Sequence, residues 1–274
     1  MNCHEFVTVF LLSVVEGVCS FFFVFIGCGS TISWLGQETG PNVLSISLCF
    51  GFTSAFLANI STYFGGGFFN PAITIALAAN RSISPKRALC FVWAQLIGAV
   101  SGAGLLYVII PEESSVHLRG KIQSVSPWAG FGVELLLTVA VMLTVLMCTE
   151  KGHTIVDRAA SVVFGQVVAA CHLFAYPITG CGINPARVFG PALVEHQWTD
   201  HWVYWFGPIF GALLATGIYH VANNFPVTSA DELVIIGKEL HGKAESAKRP
   251  DYQGELPQSC DIQTQTPSEL KTTV

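Results

Sequence analysis

Two tripeptides of the same chemistry, Asn70-Pro71-Ala72 and Asn184-Pro185-Ala186, stand 114 positions apart in a chain that is otherwise largely apolar. Each offers a carboxamide that donates and accepts, then a proline that can open a helix without losing a hydrogen bond. Glu16 and Glu134 lie inside apolar runs, 118 positions apart. Arg187 follows the second tripeptide directly, and His172 lies in another apolar run. Ionisable side chains in such surroundings are costly and mark a pathway or a paired site. The chemistry these groups offer is hydrogen bonding and charge rejection along a lumen, not bond making. No phosphate loop, nucleophile–base pair or metal-ligand spacing appears, so the reading is no enzyme, no cofactor and no metal. Landmarks recurring at a nearly constant offset are the sign of an internal repeat, with the site where the halves meet.

The elements that must position these groups are membrane spans. The chain is 51% hydrophobic and 11% charged, against about 25% charged in soluble domains. The runs Phe6–Thr31, Phe91–Ile110 and Trp128–Cys148 each reach the roughly 20 residues a crossing helix needs. Predicted spans cover 7–33, 43–64, 86–110, 127–148, 158–177 and 202–223. Two stretches, 70–79 and 184–193, are too short to cross. The order is span, span, short helix, span, twice over. The first run is long, contains Glu16 and lacks a basic cluster before it, so it reads as a retained span rather than a cleavable signal.

Lys and Arg set the topology. Arg81, Lys86, Arg87, Lys151 and Arg158 oppose Arg119 and Lys121, which puts 80–87, 149–158 and both termini in the cytoplasm. The second half is then inverted relative to the first. Trp34, Trp128, Trp198 and Trp202 fit an interfacial belt. Gly98, Gly102, Gly104, Gly165, Gly207 and Gly211 are expected at close helix crossings. Cys19, Cys28, Cys49, Cys90, Cys148 and Cys171 read as small buried hydrophobes, and Gln95 and Gln166 as packing or loop support. Residues 1–223 form the channel domain, with repeats over about 7–110 and 127–223. Residues 224–274 carry eight acidic and five basic residues. They read as a cytoplasmic tail with a capped amphipathic helix over about 230–240, then disorder.

Each tripeptide should cap a short helix. Gly65, Gly66 and Gly67 before the first, and Gly180 and Gly182 before the second, permit the irregular backbone that must dip into the membrane. Two inverted half-helices then aim their N-termini at the mid-plane, where partial positive charge opposes cations and protons. A water that accepts hydrogen bonds from Asn70 and Asn184 has both hydrogens directed outward and cannot relay a proton.

With both tripeptides, Arg187 and the two glutamates, the chain resembles the aquaporins, the major intrinsic protein family, over about 7–223. The stretch Gly180-Cys181-Gly182-Ile183-Asn184-Pro185-Ala186-Arg187-Val188-Phe189-Gly190 is similar to the water-selective vertebrate branch. The resemblance implies an all-α membrane protein: a right-handed bundle of six transmembrane helices plus two re-entrant half-helices. It implies a selectivity filter of Phe50, His172, Cys181 and Arg187, with Cys181 accessible to mercury reagents. It gives Glu16 and Glu134 the task of holding the re-entrant loops, and it implies a homotetramer with one pore per subunit. His172, Ala192, Tyr204 and Trp205 follow the water-selective pattern; glycerol-conducting relatives carry glycine for the histidine and Asp after the arginine. Two positions depart from it. Val188 replaces a small hydroxyl residue, and Phe68 stands where relatives have a histidine. Phe68 removes a polar wall group and is expected to narrow or dry the lower pore, as hydrophobic constrictions do.

The function so read is a passive, water-selective channel in a multi-pass plasma-membrane protein, with water as permeant and lipid as surroundings. The alternatives are passage of glycerol, urea, peroxide or ammonia, or a junctional protein of low water permeability that pairs through 34–43 and 111–126. Asn59-Ile60-Ser61 and Asn80-Arg81-Ser82 match the glycosylation pattern but fall in a span and on the cytoplasmic side. Ser82, Ser84 and Ser246 lie near basic residues and are candidate kinase sites, and the tail could bind partners. The few, dispersed basic residues exclude nucleic acid as a partner.

Overall fold

The structure, a computed structural model, describes residues 3–33, 40–65, 68–110, 122–123, 125–149 and 154–224; the side chains of Cys3 and of residues 154–158 lie outside that description. Its regular elements are α1 (Cys3–Gly29), α2 (Val43–Tyr63), α3 (Pro71–Ala79), α4 (Pro85–Ile109), α5 (Pro127–Thr149), α6 (Thr154–Thr179), α7 (Pro185–Val194) and α8 (Val203–Asn224). All but α3 and α7 are long and apolar enough to cross a membrane. Their outer faces are apolar: Phe52, Leu136 and Val108 are 70%, 67% and 79% exposed. Such a surface suits lipid, which needs only that the backbone be satisfied within each helix.

Packing repeats under exchange of the halves. Helix α1 lies on α4 and α5 on α8; α2 crosses α6; α7 packs on α4 and α3 on α8. The two halves meet at Gly51 and Gly165. A Cβ on Gly51 would stand 2.8 Å from the Gly165 carbonyl oxygen, and one on Gly165 would stand 2.5 Å from that of Gly51. Within the first half, a Cβ on Gly98 would stand 2.0 Å from the Gly17 carbonyl oxygen, and within the second, one on Gly211 would stand 2.3 Å from that of Leu135. These distances are too short for any side chain, so glycine sets the interhelical spacing.

Gly98→Ala is therefore expected to lower the melting temperature in detergent clearly, since overpacking costs about 1–3 kcal/mol. Gly104→Ala is the control. A Cβ there meets nothing within 4 Å, which corrects the expected crossing at Gly104: it lies six residues beyond Gly98, about 240° round the helix. Equal melting of the two variants would refute the argument.

Other expectations are also corrected. Helix α1 starts at Cys3 and stops at Gly29, and α6 runs from Thr154 through Pro177 to Thr179. Cys19, Cys28 and Cys171 are buried, but Cys49 and Cys148 are half-buried and Cys90 is exposed. Gln166 is exposed on α6 rather than packed. Trp34, Gly66, Gly67, Arg119, Lys121, Lys151, Ser246, the Arg158 side chain and the tail beyond Asn224 lie outside the described residues.

Candidate functional site

The two short helices start as the tripeptides require. Asn70 and Asn184 are N-caps with nearly identical backbones (φ −144°, ψ 113° and φ −146°, ψ 110°), each followed by proline at the first helical position. The Asn70 side-chain oxygen accepts from the Ala72 amide at 2.9 Å; that of Asn184 accepts from Ala186 at 3.0 Å and, longer, from Arg187 at 3.4 Å. The residue before each cap is left-handed, Phe69 at φ 39° and Ile183 at φ 43°. Bulky residues adopt this conformation only when the surroundings impose it.

The glutamates impose it. Glu134, fully buried, accepts from the Gly182 amide (2.8 Å) and the Thr179 hydroxyl (2.6 Å) on Oε1 and from the Ile183 amide (2.6 Å) on Oε2. Glu16, also fully buried, accepts on Oε2 from the Phe69 amide at 2.9 Å and the Gln95 side chain at 2.8 Å. Gln95 Nε2 also donates to the Thr74 hydroxyl. The Tyr204 hydroxyl donates to the Thr179 carbonyl at 2.6 Å, bracing the second loop.

The halves are then tied across the centre. Asn70 Nδ2 donates to the Ile183 carbonyl at 3.0 Å, and Asn184 Nδ2 donates to the Phe69 carbonyl at 2.8 Å. A carboxamide has two N–H donors, so each asparagine spends one on the opposite loop and keeps one. Both helix N-termini therefore meet at one point, together with the two remaining donors.

Phe50, His172 and Arg187 come together on the α7 side of this junction. The Phe50 and His172 rings stack with centroids 4.1 Å apart, and the Arg187 guanidinium carbon lies 5.0 Å from the Phe50 centroid. All three are 1% exposed or less. His172 Nδ1 is 2.9 Å from the Val168 carbonyl. A carbonyl only accepts, so Nδ1 carries the proton, and in the neutral ring Nε2 is an acceptor. Nε2 has no hydrogen-bond partner among the described residues. Arg187 Nη2 donates to the Gly180 carbonyl at 3.2 Å, whereas Nε and Nη1 have no such partner among the described residues. The site thus presents one acceptor, a fixed fork of donors and a permanent charge. Cys181, fully buried and left-handed at φ 52°, sits in the loop between Thr179 and Asn184, its amide donating to the Thr179 hydroxyl.

On the α3 side a cavity of about 900 Å³ opens, with Phe68 and Phe69 on its wall. Phe69 is buried against Phe23 and Phe164, and Phe68 is half-buried.

Several positioning residues escape the sequence reading. Gly27 admits the Phe50 ring, because a Cβ there would fall 2.3 Å from Phe50 Cε1. Thr179 carries the bond to Glu134. Phe69 and Ile183 bear the carbonyls that tie the halves. Their common position, one residue before each Asn, was the available signal.

Comparison with known proteins agrees with this architecture. The family model for the major intrinsic protein matches residues 6–219. Mouse aquaporin-4 is 38% identical over 208 residues, covering 74% of this chain and 64% of that protein, so the match spans less than two thirds of the relative's length. The chicken lens fiber major intrinsic protein is 38% identical over 212 residues, covering 76% of this chain and 80% of that one. The crystal structure of the aquaglyceroporin from Plasmodium falciparum superposes with a TM-score of 0.66 at 22% identity, covering 76% of this chain and 93% of that one, and so shares the fold. With six membrane-spanning helices, two inverted half-helices and a family match over most of its length, the chain belongs to the major intrinsic protein family, the aquaporins.

Proposed function

We propose that the protein is a passive channel selective for water, driven by osmotic gradients and closed to ions and protons, with no enzymatic step. The observation that carries this is the filter: Phe50 stacked on His172, with Arg187 over the same ring. Phe50 limits the width. His172 Nε2 and the free Arg187 donors replace hydrogen bonds that a water loses on entering. A glycerol needs a wider lumen and an apolar wall for its carbon backbone, and the histidine takes that space. Cations meet the arginine first, then two helix N-termini. The asparagines' remaining donors orient the central water so that it cannot pass a proton. Similarity to aquaporin-4 supports the same reading, while the neighbouring aquaglyceroporin structure supports the fold.

The accompanying proposals follow the sequence. The protein lies in the plasma membrane with both termini and the 224–274 tail in the cytoplasm, the tail offering sites for partners or kinases. It assembles as a homotetramer with one pore per subunit.

The test is stopped-flow light scattering on liposomes containing the purified protein. Osmotic water efflux well above that of bare lipid, blocked by mercury in the wild type but not in Cys181→Ser, with no glycerol uptake, is the expected result. Glycerol or urea uptake at a rate comparable to water would sink the selectivity.

Phe68 makes a separate expectation. It removes a polar group from the wall of the α3-side cavity, and a lumen lined by apolar groups dewets readily. Phe68→His is expected to raise water permeability per channel several-fold, measured with channel number counted by quantitative immunoblot. Unchanged permeability per channel would remove Phe68 from the pore-limiting set.

A further inference from the structure

The cavity on the α3 side has a chemistry that water conduction does not use. Its volume of about 900 Å³ lies in the range of roughly 300–1,000 Å³ typical of small-molecule sites. Phe68, Phe91 and Phe164 supply aromatic wall, and Arg87 supplies a cation. No Asp or Glu lines it among the described residues. The nearby acid, Glu16, is fully buried and turned to the Phe69 amide and Gln95. Hydroxyls also line the cavity: Thr62, Thr144 and Thr149 donate their protons to carbonyls of their own helices and remain acceptors, while Ser82, which accepts from Asn80, and Ser161 offer only neutral hydroxyl donors. Arg87 is thus the strong donor on the wall: one Nη2 proton goes to the Gly65 carbonyl at 3.1 Å, the guanidinium lies 4.9 Å from the Phe91 centroid, and Nε has no partner among the described residues.

We propose that this vestibule binds an amphipathic organic monoanion of the aryl-alkyl carboxylate class. The carboxylate pairs with Arg87, whose planar fork suits a two-oxygen anion. The ring lies against Phe68 and Phe164, where apolar burial and aromatic packing favour it. A neutral analogue lacks the ion pair and leaves the guanidinium as it was. A small inorganic anion gains no apolar burial. A bound carboxylate stands over the Phe68 side of the pore and slows water passage. That last consequence rests on the water-channel reading; the binding does not.

The test is calorimetric titration of 4-phenylbutyrate into the full-length protein in neutral detergent, with 4-phenylbutyramide and acetate beside it. Saturable binding of the carboxylate is expected, with no heat of binding for the amide or acetate. Arg87→Gln should weaken it at least about tenfold, and Arg87→Lys by about threefold, since lysine keeps the charge but loses the fork. Equal binding of the amide, wild-type affinity in Arg87→Gln, or no saturable binding overturns the proposal. If Arg87→Gln does not purify as a folded species, the comparison of carboxylate with amide on the wild type decides. Water efflux is then measured in liposomes with and without 4-phenylbutyrate. Binding without any water flux in the wild type would defeat the channel reading and leave the site standing; water flux without binding would do the reverse.

Discussion

Glu134→Gln is expected to lose most of its folded yield, whereas Glu16→Gln should purify nearly as the wild type. The two residues hold equivalent loops, but their carboxylates are used differently. Glu134 accepts on both oxygens, from Thr179, Gly182 and Ile183. A glutamine has one acceptor and one donor end. If its oxygen keeps Thr179 and Gly182, its NH₂ faces the Ile183 amide, donor against donor. If it turns over, the Gly182 amide is the one left facing a donor. A buried donor without a partner costs about 1–3 kcal/mol, and donor opposition adds to that. The damage spreads, because Ile183 is held left-handed at φ 43° and its carbonyl receives Asn70. Glu16 concentrates its bonds on Oε2, while Oε1 has no well-formed partner among the described residues, although the Phe68 amide approaches the same carboxylate. An amide nitrogen at the Oε1 position opposes the Phe68 amide but breaks no well-formed hydrogen bond, so its cost is smaller than at Glu134. The measurement is the monodisperse fraction by size exclusion and the melting temperature in detergent. Equal behaviour of the two variants would show that the halves carry their loops alike, against the geometry.

This asymmetry was invisible in the sequence, where Glu16 and Glu134 are the same residue in similar surroundings. What the sequence made legible is what depends on local chemistry: spans from apolar length, half-helices from Asn-Pro caps, inversion from the order of elements. The filter position of Phe50 came from the family resemblance, not from the residue, since the chain holds 20 phenylalanines. What it could not show depends on which way a residue faces. Gly98 and Gly104 look alike in the chain, yet one touches the Gly17 backbone and the other meets nothing. Gln95 is buried in the Glu16 network, while Gln166 is exposed on its helix. The ties from Asn70 to Ile183 and from Asn184 to Phe69 join residues more than a hundred positions apart. No periodicity reports such a contact. The left-handed Phe69 and Ile183 were likewise hidden, because bulky side chains do not advertise a conformation that a distant carboxylate imposes.

Arg187→Ala is expected to convert the proposed filter from a charge barrier into an uncharged gap. The guanidinium is 1% exposed and fixed at one end by the Gly180 carbonyl, with Nε and Nη1 free of partners among the described residues. Because α7 carries it on the first turn after Asn184, its position is set by the same cap that fixes the central junction. Removing it deletes a whole positive charge from a buried, narrow site that bulk solvent screens weakly, so its repulsion of a cation there is far stronger than in bulk. It also removes the bulk facing Phe50. Two results should separate these effects. Glycerol uptake, expected to be absent in the wild type, should become measurable in liposomes, because the lumen widens on the arginine side while His172 remains. Cation leak should rise as well, read as decay of a potassium diffusion potential, but proton exclusion should weaken less, because the two helix N-termini and the asparagine donors still act at the centre. Arg187→Lys keeps a charge and loses the fork, so cations should stay excluded while water flux falls. A variant Arg187→Ala that still rejects both glycerol and cations would assign selectivity to Phe50 and His172 alone, and the charge would then serve only to anchor Gly180.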